Sequence, residues 1–289
     1  MKILHTADWH LGQTFYEYDR REEHFHFLEW LKQQIKQHEI DVLLIAGDVF
    51  DSPNPSAESQ RVYYRFLREV TSENPSLQIV IIAGNHDSAA RLEAPNPLLE
   101  DMNIIVRGTV RRNAEGDIDL QHFIVPLYTE GKVTAYCLAV PYLRQGDYPS
   151  AENYSKGVQQ LYEQLFNKVK EKGIPVVAMG HLQATGSEIS EDDRSERTVI
   201  GGLECVSPDA FNEAITYTAL GHLHRSQRVS HRENVRYSGT PMPMSFAEKN
   251  NASGVVMITI DTEGTNIEKL EFQPLAGLVS IPPEARPLE

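Results

Sequence analysis

The chain has 289 residues, enough for one large domain or a core with an appendage. Its 40% hydrophobic and 24% charged content excludes a disordered chain, a collagen-like repeat and a coiled coil. Two distant cysteines, Cys137 and Cys205, exclude a disulfide scaffold and a thiolate zinc module. A net charge of −14 argues against a passive polyanion binder, although bound metal ions would dominate any site that held them.

The first residues, Met1-Lys2-Ile3-Leu4-His5-Thr6-Ala7-Asp8, meet charge before a signal-type apolar core can build. No run approaches 18 apolar residues, so the expectation is a soluble, cytoplasmic chain.

In chain order, short apolar runs of the buried-strand type lie at residues 3–5, 42–46, 79–83, 176–179 and 217–220. Phe27, Leu28, Leu31 and Ile35 form one helical stripe, and Val158, Leu161, Tyr162, Leu165, Phe166 and Val169 form a second. This alternation predicts an α/β fold with a largely parallel sheet. Residues 103–142 carry shorter alternations punctuated by Gly108, Gly116 and Gly131, which predict hairpins. Residues 187–197 are dense in charge and predict an exposed loop. Residues 227–229, 234–237, 254–260 and 267–272 again read as strands, with a turn at 261–264. The economical account is a second sheet packed on the first. The Pro-rich end at 282–289 reads as linker, with a last pair that could be a cloning scar.

Each of the five apolar runs leads into metal-type ligands. These are Asp8-Trp9-His10, Gly47-Asp48-Val49-Phe50-Asp51, Gly84-Asn85-His86-Asp87, Gly180-His181 and Gly221-His222-Leu223-His224. Sites form at the carboxyl ends of strands in open α/β sheets, and a glycine before the ligand lets the chain turn sharply. One such ending is commonplace, since a lone histidine is usually structural and a Gly-Asp pair is usually a turn or cap. Five endings on one sheet edge point to a shared centre. Imidazole, carboxylate and carboxamide without thiolate suit Mn²⁺, Fe²⁺ or Zn²⁺, with Mg²⁺ also compatible. The ligands are too many for one ion, and a pair sharing a carboxylate about 3.5–4 Å apart is suited to phosphoester hydrolysis. Gly201-Gly202-Leu203-Glu204-Cys205 lacks the Lys-Ser/Thr ending of a nucleotide loop, so any ATP dependence would come from a partner.

In this order, Asp-x-His, Gly-Asp, Gly-Asn-His-Asp, Gly-His and Gly-His-x-His resemble the calcineurin-like metallophosphoesterase superfamily. The segments at 3–12, 46–51 and 219–224, with Val235-Arg236-Tyr237-Ser238-Gly239-Thr240-Pro241 and Ser245-Phe246, narrow the resemblance. They are similar to the SbcD family, the nuclease component of bacterial SbcCD complexes and a relative of the double-strand-break repair nucleases. The Gly-Asp-x-Val-Asp-Arg-Gly and Arg-Gly-Asn-His-Glu segments of protein phosphatases are not matched.

The resemblance spans residues 1–275 and implies a two-sheet α/β/β/α sandwich forming a nuclease domain. Residues 276–289 would then be linker or the start of a capping domain. It implies two Mn²⁺ ions, the first held by Asp8, His10 and His224, the second by Asn85, His181 and His222, with Asp48 bridging. His86 matches the family's catalytic histidine. Asp51 and Asp87 would orient imidazoles and strand-end turns. Arg20, Arg21, Arg225 and Arg228 lie just beyond ligand motifs and are candidate contacts to a DNA backbone, with solvated surface charge as the competing account. The implied activity is 3′-to-5′ exonuclease on duplex ends and endonuclease on single strands and hairpins, in DNA repair and recombination. The implied partners are DNA, an SbcC-type ATPase and a second copy of the chain, the latter through helices within 57–70 and 89–102. A small-molecule phosphodiesterase on the same scaffold is the competing activity. A non-catalytic binding module is disfavoured because no ligand is lost.

Overall fold

The computed structural model describes residues 1–187 and 205–279. Most of the charged stretch at 187–197, residues 201–204 and the end from 280 onward lie outside the described residues. The elements run β1 (Lys2–Thr6), the ribbon β2 (Thr14–Phe15) and β3 (Tyr18–Asp19), α1 (Arg21–His38), β4 (Val42–Ala46), α2 (Ala57–Glu73) and β5 (Gln78–Ile82). Next come α3 (Ala89–Glu93), α4 (Asn96–Leu99), β6 (Ile104–Arg107), α5 (Leu120–Phe123), β7 (Ile124–Thr129), β8 (Lys132–Ala139) and α6 (Tyr154–Val169). The chain continues through β9 (Val176–His181), β10 (Tyr217–Gly221), β11 (Gln227–Val229), β12 (Arg232–Tyr237), β13 (Gly254–Ile260) and β14 (Thr265–Glu271).

Two six-stranded sheets form, ordered β14-β13-β1-β4-β5-β6 and β11-β12-β10-β9-β8-β7. Strand alternation divides the apolar residues between three layers. Leu4, Leu43, Ile45, Ile79 and Ile81 face α1 and α2, meeting Phe27, Leu31, Phe66 and Val70. Their neighbours Ile3, Val42, Leu44, Val80 and Ile82 face the other way, against Val177, Met179, Tyr217 and Ala219 of the second sheet. The outer face of that sheet carries Ala178 and Leu220 against Val158, Leu161, Tyr162 and Leu165 of α6. The result is an α/β/β/α sandwich, with the central strands β1, β4, β5, β9 and β10 buried along almost their whole length and correspondingly unbroken in apolar sequence. Among the described residues, no helix is long and apolar enough to cross a membrane.

Three sequence expectations need correction. Ile104–Arg107 is not part of a hairpin: it pairs in parallel with β5 and extends the first sheet. The hairpin of that region is β7–β8. The strands at 254–271 do not join the second sheet, because β13 lies antiparallel to β1 in the first. The five ligand-bearing strands do not share one edge either. β1, β4 and β5 belong to one sheet, and β9 and β10 to the other. An apolar run marks a strand, but its partner is chosen by long-range packing that the run does not encode.

Candidate metal centre

The two sheets meet at the rim where the five strands end, and backbone bonds fasten the loops together there. Asp8 N–H donates to Gly47 O at 3.0 Å, and His10 N–H donates to Asp48 O at 3.0 Å. His222 N–H donates to Asp8 Oδ1 at 3.0 Å, so a second-sheet loop is tied to a first-sheet carboxylate. The turns are tight. Asp8, His10, Asp48 and His222 all have positive φ, a region that costs a non-glycine residue about 1–3 kcal/mol and concentrates at functional sites. Gly84 is required by close approach: a Cβ there would sit 2.0 Å from Asp48 Oδ1 and 2.3 Å from the Asp48 amide nitrogen.

The side chains converge in overlapping sets. Asp8, His10 and His224 have ligand atoms within 4.8 Å of one another, as do Asp8, Asp48 and His181, and His10, Asp48 and His86. Asp48 is 2% exposed. Its Oδ1 accepts the His86 amide at 2.8 Å, while Oδ2 lies 3.2 Å from His181 Nε2 and 3.9 Å from His10 Nε2. Asn85 Oδ1 is 2.9 Å from His181 Nε2 and 3.0 Å from His222 Nδ1, which brings His222 into the cluster.

Outer partners fix which imidazole edge turns inward. His181 Nδ1 donates to Ala46 O at 2.8 Å, and His86 Nδ1 donates to Asp51 O at 2.9 Å. His224 Nδ1 pairs with Glu248 Oε1 at 2.9 Å, and His10 Nδ1 lies 3.4 Å from Asp51 Oδ1. Holding one ring nitrogen in this way presents the other to a metal. His10 Nε2 is buried and has no hydrogen-bond partner. An orphaned imidazole nitrogen beside buried carboxylates is what a metal ligand looks like without its ion.

The electrostatics agree. Burial, then its buried neighbours, shapes each group. Burial pushes Asp8 up, with Asp48 adding to it against the nearby imidazoles. Burial also opposes ionisation of Asp48, but His181, His10 and His86 outweigh it and hold that carboxyl well below the usual range. Burial opposes charge on His181, yet Asp48 and then Asp8 raise it to about 9. Burial and the neighbouring His181 push His222 down to about 3. Asp87 is pushed up to about 6 by burial and Asp48, against three amides that it accepts: Gly84 at 2.9 Å, Phe50 at 3.0 Å and Val49 at 3.2 Å. Asp87 thereby staples the β4 and β5 turns to each other. Donor type, convergence and buried charge all fit divalent cations.

The arginines divide. Arg20 is 4% exposed and does not reach out to a backbone phosphate. Its guanidinium pairs with Glu23 at 2.8 Å, donates to Pro243 O at 2.7 Å and to Gln13 Oε1 at 2.9 Å, and lies 5.4 Å from the Phe15 ring centroid. It is a brace. Arg21, Arg225 and Arg228 are exposed, and Arg21 and Arg228 already face Asp19 and Glu233. Glu248 carries no motif signal in the sequence, although it orients His224. It also accepts the Met244 amide at 2.8 Å, which gives the 242–244 loop a supporting role. Thr240 Oγ1 donates to Asp8 O at 2.9 Å, anchoring the same loop to β1's turn. A glutamate 24 residues beyond its histidine makes no recognisable spacing.

Comparison with known proteins shows the family. Residues 1–226 match the calcineurin-like phosphoesterase family model. The chain therefore belongs to the calcineurin-like phosphoesterases, which places it among the metal-dependent phosphodiester hydrolases. Within them it belongs with the SbcD nucleases of SbcCD complexes. It is 41% identical over 272 residues to the SbcCD nuclease component SbcD of Rhodobacter capsulatus, covering 90% of this chain and 66% of the relative. It is 32% identical over 296 residues to the Escherichia coli K12 protein of that name, covering 96% and 70%, and 30% identical over 276 residues to the Bacillus subtilis one, covering 89% and 66%. The chain thus spans about two thirds of the length of these relatives.

Proposed function

We propose that the chain is a Mn²⁺-dependent DNA nuclease, a 3′-to-5′ exonuclease on duplex ends and an endonuclease on single strands and hairpins. It would act in the cytoplasm, in DNA repair and recombination, as a homodimer with an ATPase partner of the SbcC type. The carrying observation is the buried Asp48 carboxylate standing between two sets of ligands with the orphaned His10 Nε2 beside it. Asp8, His10 and His224 would hold one ion and Asn85, His181 and His222 the other, with Asp48 shared. Bound there, the ions supply Lewis acidity and a nucleophile at neutral pH.

The chain's own groups do the rest. Asp51 and Asp87 fix the loops, and Glu248 fixes His224. His86 has its amide on Asp48 and its Nδ1–H on Asp51 O, so Nε2 is the ring's basic nitrogen. Once Nε2 has taken up a proton, the ring would contact the scissile phosphate through Nε2–H and give that proton to the leaving oxygen, returning to the neutral Nδ1–H form. Net charge of −14 leaves the metal centre as the principal attraction for phosphate.

The test is incubation of the purified chain with Mn²⁺ and an end-labelled linear duplex, without ATP and with metal-free controls. Metal-dependent shortening is expected. Hydrolysis of a generic phosphodiester with no cleavage of any DNA would overturn the nuclease reading in favour of a small-molecule phosphodiesterase.

A further inference from the structure

Beside the metal centre lies an aromatic surface with no part in holding ions. Tyr16 is 77% exposed and Phe246 is 48% exposed, although both are large apolar rings. With Phe15 they form one cluster. Ring centroids are 5.0 Å apart for Phe15–Tyr16, 5.2 Å for Phe15–Phe246 and 5.5 Å for Tyr16–Phe246. Phe15 and Tyr16 are neighbours in the ribbon, but Phe246 comes from a segment far along the chain, so sequence proximity does not explain its place in the cluster.

Both segments are mounted on the metal loops. The Gln13 amide donates to His10 O at 3.0 Å, and the Gln13 side chain is held by Arg20, which also grips Pro243 O. Phe246 begins the short turn Phe246–Glu248, whose last residue holds His224. The rings are therefore tied on either side to the supports of His10 and His224. The β2–β3 ribbon turns through Tyr16 and Glu17, both with positive φ. Such a two-residue turn favours Asn-Gly, and a bulky ring there is an outlier. The turn places Tyr16 at the exposed tip of the ribbon.

We infer that Phe15, Tyr16 and Phe246 form a stacking platform for unpaired nucleobases of single-stranded or frayed DNA at the mouth of the metal centre. This rests on the nuclease reading above. Ions and His86 act on phosphate and cannot sense whether a base is present. Ring faces can, and they stack on any base, giving affinity without sequence preference. Stacking also suits a chain of net charge −14, because it attracts DNA without a basic surface.

The test compares Mn²⁺-dependent cleavage of a single-stranded oligonucleotide with that of the same strand carrying abasic residues around the cleavage position. The readout is the ratio of the two kcat/KM values. The parent is expected to favour the base-bearing strand by about 10-fold or more, the scale of base–aromatic stacking. In Tyr16→Asn and Phe246→Ala the ratio should fall toward one, and in Tyr16→Trp it should persist. Asparagine tolerates positive φ, so Tyr16→Asn should unfold no earlier than the parent, which separates lost stacking from lost folding. A parent ratio near one, or a ratio preserved in both truncations, would overturn the platform and leave the nuclease reading standing. Failure of the parent to cut either strand would overturn the nuclease reading, and the platform with it.

Discussion

Replacing His86 with serine is expected to reduce phosphodiester hydrolysis by about 10²–10⁴-fold while both metal ions stay bound. The expectation follows from how His86 is held. Its backbone amide braces Asp48 at 2.8 Å, and its Nδ1 is spent on Asp51 O. Serine keeps the amide and so keeps the brace. What it loses is Nε2, the nitrogen assigned to the phosphate and leaving oxygen. Geometry alone permits another role, because His86 also forms a ligand-type set with His10 and Asp48. Metal analysis separates the two. Two ions per chain with collapsed turnover supports the proton-handling role, and loss of an ion from His86→Ser would make His86 a ligand.

Asp48→Ala should have the larger effect on binding, lowering affinity at both sites by at least about 100-fold and abolishing hydrolysis. The bound is conservative, since removing even an outer partner of a ligand costs about 10–100-fold. Asp48 approaches His181 and His10 through one oxygen and secures the His86 amide with the other. With Asp8 it also raises His181 to about 9 against burial, a sign of the negative field that would draw a cation to this spot. Its removal strips that field and support from the β5 turn together. Titration calorimetry with Mn²⁺ checks this, and two tightly bound ions in the variant would remove Asp48 from the bridging position.

The strands were legible because both faces are buried: unbroken runs such as residues 42–46 need no periodicity to stand out. The cluster was legible because glycine and ligand recur at strand ends, where chain direction brings polar groups to one rim. Pairing was not. Nothing in residues 254–260 says that they return to β1 rather than to the neighbouring second sheet. The division of ligands between two sheets was hidden for the same reason. The bracing role of Arg20 was hidden too, because proximity in sequence to a ligand motif says nothing about burial. Glu23 lies one helical turn away, but Pro243 is reached only once the 243–248 loop folds over the ribbon. Glu248 and Phe246 belong to that loop, and Phe246 completes the aromatic trio. These are tertiary features, made by contact between segments with no common motif.

The central claim is that loops from two sheets build one two-ion site. Anomalous diffraction at the manganese edge from crystals soaked in Mn²⁺ tests it most directly. Two peaks about 3.5–4 Å apart are expected with Asp48 between them, one beside Asp8, His10 and His224 and the other beside Asn85, His181 and His222. A single peak, or two peaks without Asp48 in common, would contradict it.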